Sequence, residues 1–513
     1  MLDKTSDAAT TANGSGPGHV RIAIVGAGFG GIGMAIKLRQ DGIEDFVVLE
    51  RDSDVGGTWW ANTYPGCQCD IPSHLYSFSF APNPDWSRTY APQPEILDYL
   101  RDCTERFGLR EKIRFDCALT HARWDEDANL WRIETERGPL TADVVVAAPG
   151  GLSEPSVPAI EGLSEFEGHV FHTARWDHDS DLAGKRVAVV GTGASAIQAV
   201  PELAQIAEHV TVFQRTPPWI VPHRDRPVSK AERWLYRRFP PLQRLVRAGV
   251  YWSRELLVPA LVHRPRLMRI PERVARRHME AQVPDPELRA RLTPDYTLGC
   301  KRILPSSRWY PTLGAANVSL ELGALERVRP QGVVTPGGEL REVDAIVFAT
   351  GFQVTEMPFG DLVHRADGTA LADLWQGSPQ AYRGTAAAGF PNMFWLVGPN
   401  TGLGHNSIVF MIEAQLAYVI DALRTMDAHG IDRIEIRQDA QDAYNARLQS
   451  RMAGTVWNSG GCQSWYIDRN GRNSTVWPDF TWRWWQENRR FDAPKWHLEA
   501  RRPARVAREP VAG

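Results

Sequence analysis

A short apolar strand running into a glycine-rich turn occurs twice in this chain, as IAIVGAGFGG with Gly26, Gly28 and Gly31, and as VAVVGTGASA with Gly191, Gly193 and Ala196. In such a turn the first glycine permits a tight bend, and the second lets backbone N–H groups approach a pyrophosphate. The third small residue lets the following helix pack closely on its strand. The phosphate sits at the positive end of that helix, beside Ser195 in the second copy. A single turn of this kind is a weak signal. Two of them, each inside a strand–turn–helix pattern, predict an α/β chain with two Rossmann-like dinucleotide-binding domains.

The residues that close the next strand in each copy separate the two nucleotides. After the first turn the strand Phe46–Leu49 ends in Glu50, 24 residues beyond Gly26. A carboxylate there accepts hydrogen bonds from the hydroxyls of an adenosine ribose, which suits FAD or NAD. After the second turn VTVFQR ends in Gln214 and Arg215. An arginine in that place pairs with a 2′-phosphate that a carboxylate would repel, so NADPH is expected over NADH. Two apolar runs, ADVVVAAPGG (Ala142 to Gly151) and VDAIVFATGF (Val343 to Phe352), have the length and composition of buried parallel strands and close the two domains in the same manner.

Composition excludes several classes. A net charge of −3 over 513 residues argues against a dedicated nucleic-acid binder. No apolar run is long enough to cross a bilayer, the nearest, Ala248 to Val262, being broken by Arg254 and Glu255. The six cysteines are scattered, form no CxxC and follow no signal-like leader, so they read as reduced thiols of a cytoplasmic protein, and no metal site is expected. The nineteen tryptophans read mainly as core.

Between the two fingerprints lies FEGHVFHTARWD, with Phe166, Gly168, His172, Trp176 and Asp177 at the spacing FxGxxxHxxxWD. This arrangement resembles the signature of Baeyer–Villiger monooxygenases, a branch of the flavin-dependent monooxygenases whose nitrogen- and sulfur-oxidising sisters usually carry Tyr or Phe at the Trp176 position. The resemblance extends from His19 to about Trp485. It implies that the GGTW segment and the residues after YPG wrap FAD, which here are Thr58, Trp59, Asp70 and Tyr76. It implies further that in GCKR Lys301 helps bind the NADP phosphate while Arg302 sits above the flavin, oriented by Asp70. The local form of GCKR followed by aromatic-Pro-Thr-Leu is most similar to the hydroxyacetophenone monooxygenase branch. Ser307 and Arg308 depart from the Asn-Asp common there. Trp457 to Asn473 resembles the family's mobile active-site loop, making Trp465 and Tyr466 pocket candidates, with core packing weighed equally against that role.

The expected organisation is a disordered tail over 1–18, an FAD-binding domain formed by 19–152 plus 385–513, and an NADPH-binding domain over 153–384. Residues 217–300 form a helical insertion in the latter. Rich in Arg and aromatics, the insertion is read as a lid over the cofactor cleft, with most of its arginines on a solvated face; contact with an acidic membrane surface is the lesser reading. Helices are expected over about Phe29 to Gln40, Pro94 to Phe107, Ser229 to Phe239, Pro271 to Glu280 and from Ile408 to Leu423. The last of these would direct its positive N-terminus at the reduced flavin.

The resemblance implies insertion of one oxygen atom beside a ketone carbonyl to give an ester or lactone, with NADPH, O₂ and a C4a-peroxyflavin. Arg302, a permanent cation, would keep the oxidant deprotonated and stabilise the adduct's oxyanion. His172 and Trp176 are read as linker residues coupling domain rotation to cofactor movement. Oxygenation of sulfur or nitrogen is the enzymatic alternative, and a nucleotide-binding redox sensor the non-enzymatic one. A monomer or homodimer is expected.

Overall fold

The computed structural model describes residues 18–501. The chain's polar ends, including all but the last residue of the tail expected over 1–18, lie outside the described residues. Gly18 itself opens a strand, Gly18–Val25.

The first sheet is ordered Val363–His364, Leu119–Asp125, Leu130–Thr135, Leu140–Ala147, Gly18–Val25, Phe46–Leu49 and Ile113–Arg114, with Met393–Trp395 also paired to Leu140–Ala147. Its centre is parallel: Ile22 to Val25 pair with Val144 to Ala147 on one side and Phe46 to Leu49 on the other. Apolar side chains on both faces of these strands are buried, as a sheet covered on both sides requires. The second sheet is fully parallel, in the order Val318–Leu322, His209–Gln214, Arg186–Val190, Ala345–Phe348 and His169–His172.

The two fingerprints are built alike. Gly26 has φ +97° and Gly191 φ +115°, a region that disfavours side chains, and a Cβ on either would lie 2.5 Å from a carbonyl oxygen, of Ala148 and Ala349 respectively. Those alanines belong to the two strand endings, AAPGG and ATG, so each turn is moulded against the end of its neighbouring strand. At Gly31 a Cβ would fall 1.8 Å from the Gly26 carbonyl oxygen, which is why the helix Phe29–Gln40 can start so close to its strand. This helix packs on Ile408–His429, whose twelve buried residues cover most of its circumference and leave Ala417 and Arg424 on the exposed side. Seven tryptophans, Trp86, Trp124, Trp131, Trp309, Trp457, Trp477 and Trp484, are under 2% exposed and serve the core.

Three sequence expectations change. The segment FEGHVFHTARWD is not a bare linker: His169–His172 is the edge strand of the second sheet, in register with Ala345 to Phe348. Its four residues are too few to show a period. The chain rejoins the first sheet at Val363–His364, earlier than the boundary at 385, through a two-residue strand that no pattern marks. And the cysteines are not all free thiols. Cys300 and Cys462 form a disulfide across 162 residues, while Cys67, Cys69, Cys103 and Cys117 are free and buried.

The insertion comprises helices Lys230–Arg238, Pro240–Glu255, Arg269–Gln282 and Pro286–Leu292. Ser229 caps the first, accepting from the Glu232 backbone N–H while the Glu232 side chain accepts from the Ser229 N–H.

Candidate active site

Asp70 and Arg302, 232 residues apart, meet in a fork-to-fork pair: Nε donates to Oδ2 at 2.8 Å and Nη2 to Oδ1 at 2.6 Å. The third guanidinium nitrogen donates to the Leu403 carbonyl at 2.8 Å, so the plane is fixed by two segments. Burial alone would raise the Asp70 carboxyl, but Arg302, helped by Arg254, outweighs it and holds the group below its ordinary value. For Arg302 burial acts against the charge, and Asp70 more than offsets it, raising the pKa. About a quarter of each side chain stays exposed, so the cation is accessible as well as held. Tyr466 is buried beside Arg302; burial, partly opposed by Arg302, pushes its hydroxyl up to about 12. Trp465, by contrast, is 45% exposed, although the two rings are 4.4 Å apart.

On the first fingerprint Glu50 is buried and accepts from the N–H of Ala27 at 2.5 Å and of Asp52 at 2.9 Å. Burial raises its carboxyl above the ordinary value despite these bonds. Thr58 begins a short helix, Thr58–Ala61, directly after Gly57, against which Gly28 lies. The Trp59 indole N–H donates to the Tyr76 hydroxyl at 3.3 Å, and Tyr76 stacks edge-on to Phe29 at 5.2 Å.

The end of the strand that follows the second fingerprint opens on a cleft of about 670 Å³ whose walls include Gln214, Arg215, Tyr296, Lys301 and Cys462. Gln214 is buried, its amide donating to the Arg291 carbonyl at 2.9 Å, whereas Arg215 is exposed. Burial, then the nearby Arg215, lowers the Lys301 pKa, as expected of two cations sharing one anion site. A Cβ on Gly193 would meet no atom within 4 Å, leaving that approach open to a pyrophosphate. Ser195 lies near the Tyr64 hydroxyl, and Gln198 on the same helix bridges Tyr64 and Gln68 at 2.9 Å each, tying this helix to the YPGCQCD segment. Ala196 is fully buried.

In the signature segment each residue has a structural duty. A Cβ on Gly168 would lie 2.4 Å from the Asp344 carbonyl oxygen and 2.6 Å from the Phe166 ring. Phe171 and Trp176 meet edge-on at 4.9 Å, and Asp177 accepts from Ser180 and from the Asp179 N–H. His172 is buried at the strand's end, its Nδ1 accepting from the Ala174 N–H at 3.0 Å. Burial pushes its imidazole down to about 4, with the nearby Gly351 backbone acting the other way, so the ring is neutral at pH 7 although its Nε2 has no hydrogen-bond partner among the described residues.

Known proteins resemble this chain over most of its length. A family model described as pyridine nucleotide-disulphide oxidoreductase matches residues 23–244. A Baeyer–Villiger monooxygenase of Streptomyces coelicolor is 52% identical over 95% of this chain and 94% of its own, and one of Pseudomonas aeruginosa is 49% identical over 94% and 92%. The chain belongs to the Baeyer–Villiger monooxygenase family. Among solved structures, cyclohexanone monooxygenase from Rhodococcus sp. Phi1 bound to NADP+ superimposes with a TM-score of 0.82 at 29% identity, covering 94% of this chain and 100% of that one. Oxidized steroid monooxygenase bound to NADP gives 0.82 at 31%, over the same shares.

This Baeyer–Villiger monooxygenase is thus an FAD- and NADPH-dependent oxidoreductase with two dinucleotide-binding units. Among the described residues no group of His, Cys, Asp and Glu could hold a metal, and no helix is long and apolar enough to cross a membrane.

Two features of the monooxygenase escaped the sequence reading. Glu255, buried in the insertion, accepts from Asn406 Nδ2 at 2.6 Å, Thr481 Oγ1 at 2.7 Å, the Thr481 N–H at 3.0 Å and His405 Nε2 at 3.3 Å. The carboxylate therefore joins the insertion to the start of helix Ile408–His429 and to helix Thr481–Asn488. The Cys300–Cys462 disulfide ties GCKR to the loop carrying Trp465 and Tyr466.

Proposed function

We propose that Arg302, oriented by Asp70, is the cation that stabilises negative charge developing on the reacting oxygens during ketone oxygenation. The bidentate pair, anchored a third time on Leu403, carries this reading: it is a preorganised positive charge that needs no rearrangement as charge develops. A ketone is the substrate class, consistent with cyclohexanone in the name of a structural relative. When bound, FAD would supply the activation of O₂ with NADPH as reductant. The chain's task is to bind, orient and exclude. Gly26, Gly28, Gly31, Glu50, Thr58, Trp59, Asp70 and Tyr76 receive FAD. Gly191, Gly193, Ser195, Ala196, Gln214, Arg215 and Lys301 receive NADPH. Tyr466 faces the substrate side of Arg302, and Trp465 borders the entrance. The neutral His172 positions the second sheet's edge as the nicotinamide moves. A monomer or homodimer in the cytoplasm is retained, although the Cys300–Cys462 disulfide departs from the reduced thiols expected of that compartment.

The test is product analysis with NADPH and O₂, offering an aryl ketone and an aryl thioether separately. One ester formed per NADPH consumed is expected; sulfoxide from the thioether with no ester from any ketone would overturn the reading. Arg215→Ala should lower the preference for NADPH over NADH about 10- to 100-fold, the equivalent of the roughly 1.5–3 kcal/mol of hydrogen bonds to a charged group. Steady-state KM values for both nucleotides measure it. An unchanged ratio would remove Arg215 from phosphate recognition.

A further inference from the structure

Helix Pro240–Glu255 carries apolar side chains on the side turned to solvent as well as on the side turned inward. Inward, Tyr251 and Val250 pack on the core and polar groups anchor the rest: Gln243 donates to the Asn83 carbonyl at 2.6 Å, Arg247 to the carbonyls of His74 at 2.9 Å and Ser77 at 2.8 Å, and Glu255 holds the network described above. The side turned to solvent carries Pro241, Leu245, Ala248, Trp252 and, just past the helix end, Leu256, all exposed. Their spacing of four, three, four and four residues draws one stripe along the helix, about 22 Å long at 1.5 Å per residue. Leu245 is 68%, Trp252 57% and Leu256 78% exposed. Rotating the helix to bury this stripe would strip Gln243, Arg247 and Glu255 of their partners, so its outward position is built in.

The stripe is not isolated. Of the eighteen exposed large hydrophobic residues among those described, eight fall between Trp234 and Val274, including Ile270 on the next long helix. The same stretch is strongly basic: residues 229–282 hold 13 Lys and Arg against four Asp and Glu, in a chain whose net charge is −3. Arg244, Arg264, Arg266, Arg269, Arg273 and Arg277 are exposed, and none forms a salt bridge with a described residue. Apolar side chains aimed outward among unpaired cations match the interface of an anionic bilayer, where the first enter the acyl boundary and the second meet phosphate. A second copy of this chain would bring the same positive charge against itself, and a nucleic acid would leave the stripe in water.

We infer that the helical insertion seats this monooxygenase on anionic phospholipid surfaces through Leu245, Trp252 and Leu256, flanked by arginines. The attachment is peripheral, uses no residue that lines the cofactor cleft and does not depend on the assignment of Arg302.

Flotation of the full-length holoenzyme with vesicles tests this. The protein should rise with vesicles containing phosphatidylglycerol at least about tenfold more than with pure phosphatidylcholine, and high salt should reduce the binding. Leu245→Ser, Trp252→Ser and Leu256→Ser together should abolish it while NADPH oxidation with a water-soluble ketone stays unchanged. Arg244→Gln with Arg266→Gln and Arg273→Gln should remove the salt-sensitive part, which keeps the test decisive if the triple serine variant fails to fold. Wild-type protein left unbound by anionic vesicles would overturn the inference. So would a dimer, seen by light scattering, that the serine substitutions dissociate without any vesicle binding, since the stripe would then belong to a second copy.

Discussion

Arg302→Ala is expected to reduce ester formation about 100- to 1000-fold while FAD is still reduced by NADPH at close to its normal rate. The size follows from removing one preorganised donor to developing negative charge, worth roughly 2.7–4 kcal/mol. The selectivity follows from position. Arg302 is held by Asp70 and Leu403, not by the second fingerprint, so delivery of hydride keeps its own binding residues. Arg302→Lys retains a charge yet loses the planar fork that fills both Asp70 oxygens, and should recover only a small part of the loss. Asp70→Asn keeps the shape but weakens the pairing, and should fall between wild type and Arg302→Ala. Single-turnover measurement of reduction, beside product yield in air, separates the steps. Equal losses in both would make Arg302 a nucleotide-binding residue instead, and the assignment of the cation would fail.

How far the chain disclosed itself depended on whether the information was local. The fingerprints were legible because a turn, its strand and its helix are contiguous, and even the clash that Gly31 avoids is with a residue five positions away. Helix Lys230–Arg238 carries its own periodicity and capping box, whereas Phe29–Gln40, buried almost throughout and without a side-chain cap, is marked by the glycine-rich turn that opens it. Asp70 and Arg302 came together only through resemblance, since no period or spacing links residues 232 apart. The disulfide was missed for the same reason: two single cysteines in unrelated motifs have no local signature, and the chain must fold before Cys300 and Cys462 are neighbours. Edge strands of two or four residues, Val363–His364 and His169–His172, are shorter than the pattern needed to recognise them. Glu255 did leave a trace. It interrupts the apolar run from Ala248 to Val262, and a carboxylate in such a run must find donors if the run is buried; the sequence announced the demand without naming Asn406 and Thr481.

That demand makes Glu255 the site where stability should respond most. Glu255→Ala is expected to destabilise the fold by about 3–5 kcal/mol, the range for breaking a buried charged network by removing one partner. The side chains of Asn406 and His405 and the Thr481 backbone N–H, all buried, would lose their acceptor at once. Because the network sets the start of helix Ile408–His429, loosening it should also release FAD more readily, visible as a rise in flavin fluorescence before the main unfolding transition. The pH dependence has a definite sign. Burial would raise the Glu255 carboxyl, but hydrogen bonds from His405 and Thr481 outweigh it and leave the folded value below 4.5. A group depressed on folding contributes fully above its unfolded pKa and loses that contribution as pH falls through the folded one. Glu255→Gln, which cannot ionise, should therefore be less stable than wild type at neutral pH, with the difference shrinking below about pH 4.3, the ordinary value for an unfolded glutamate. Thermal unfolding followed across that range decides the matter: a gap between wild type and Glu255→Gln that widens on acidification would show that Glu255 is protonated in the native enzyme and that the network rests on neutral hydrogen bonds.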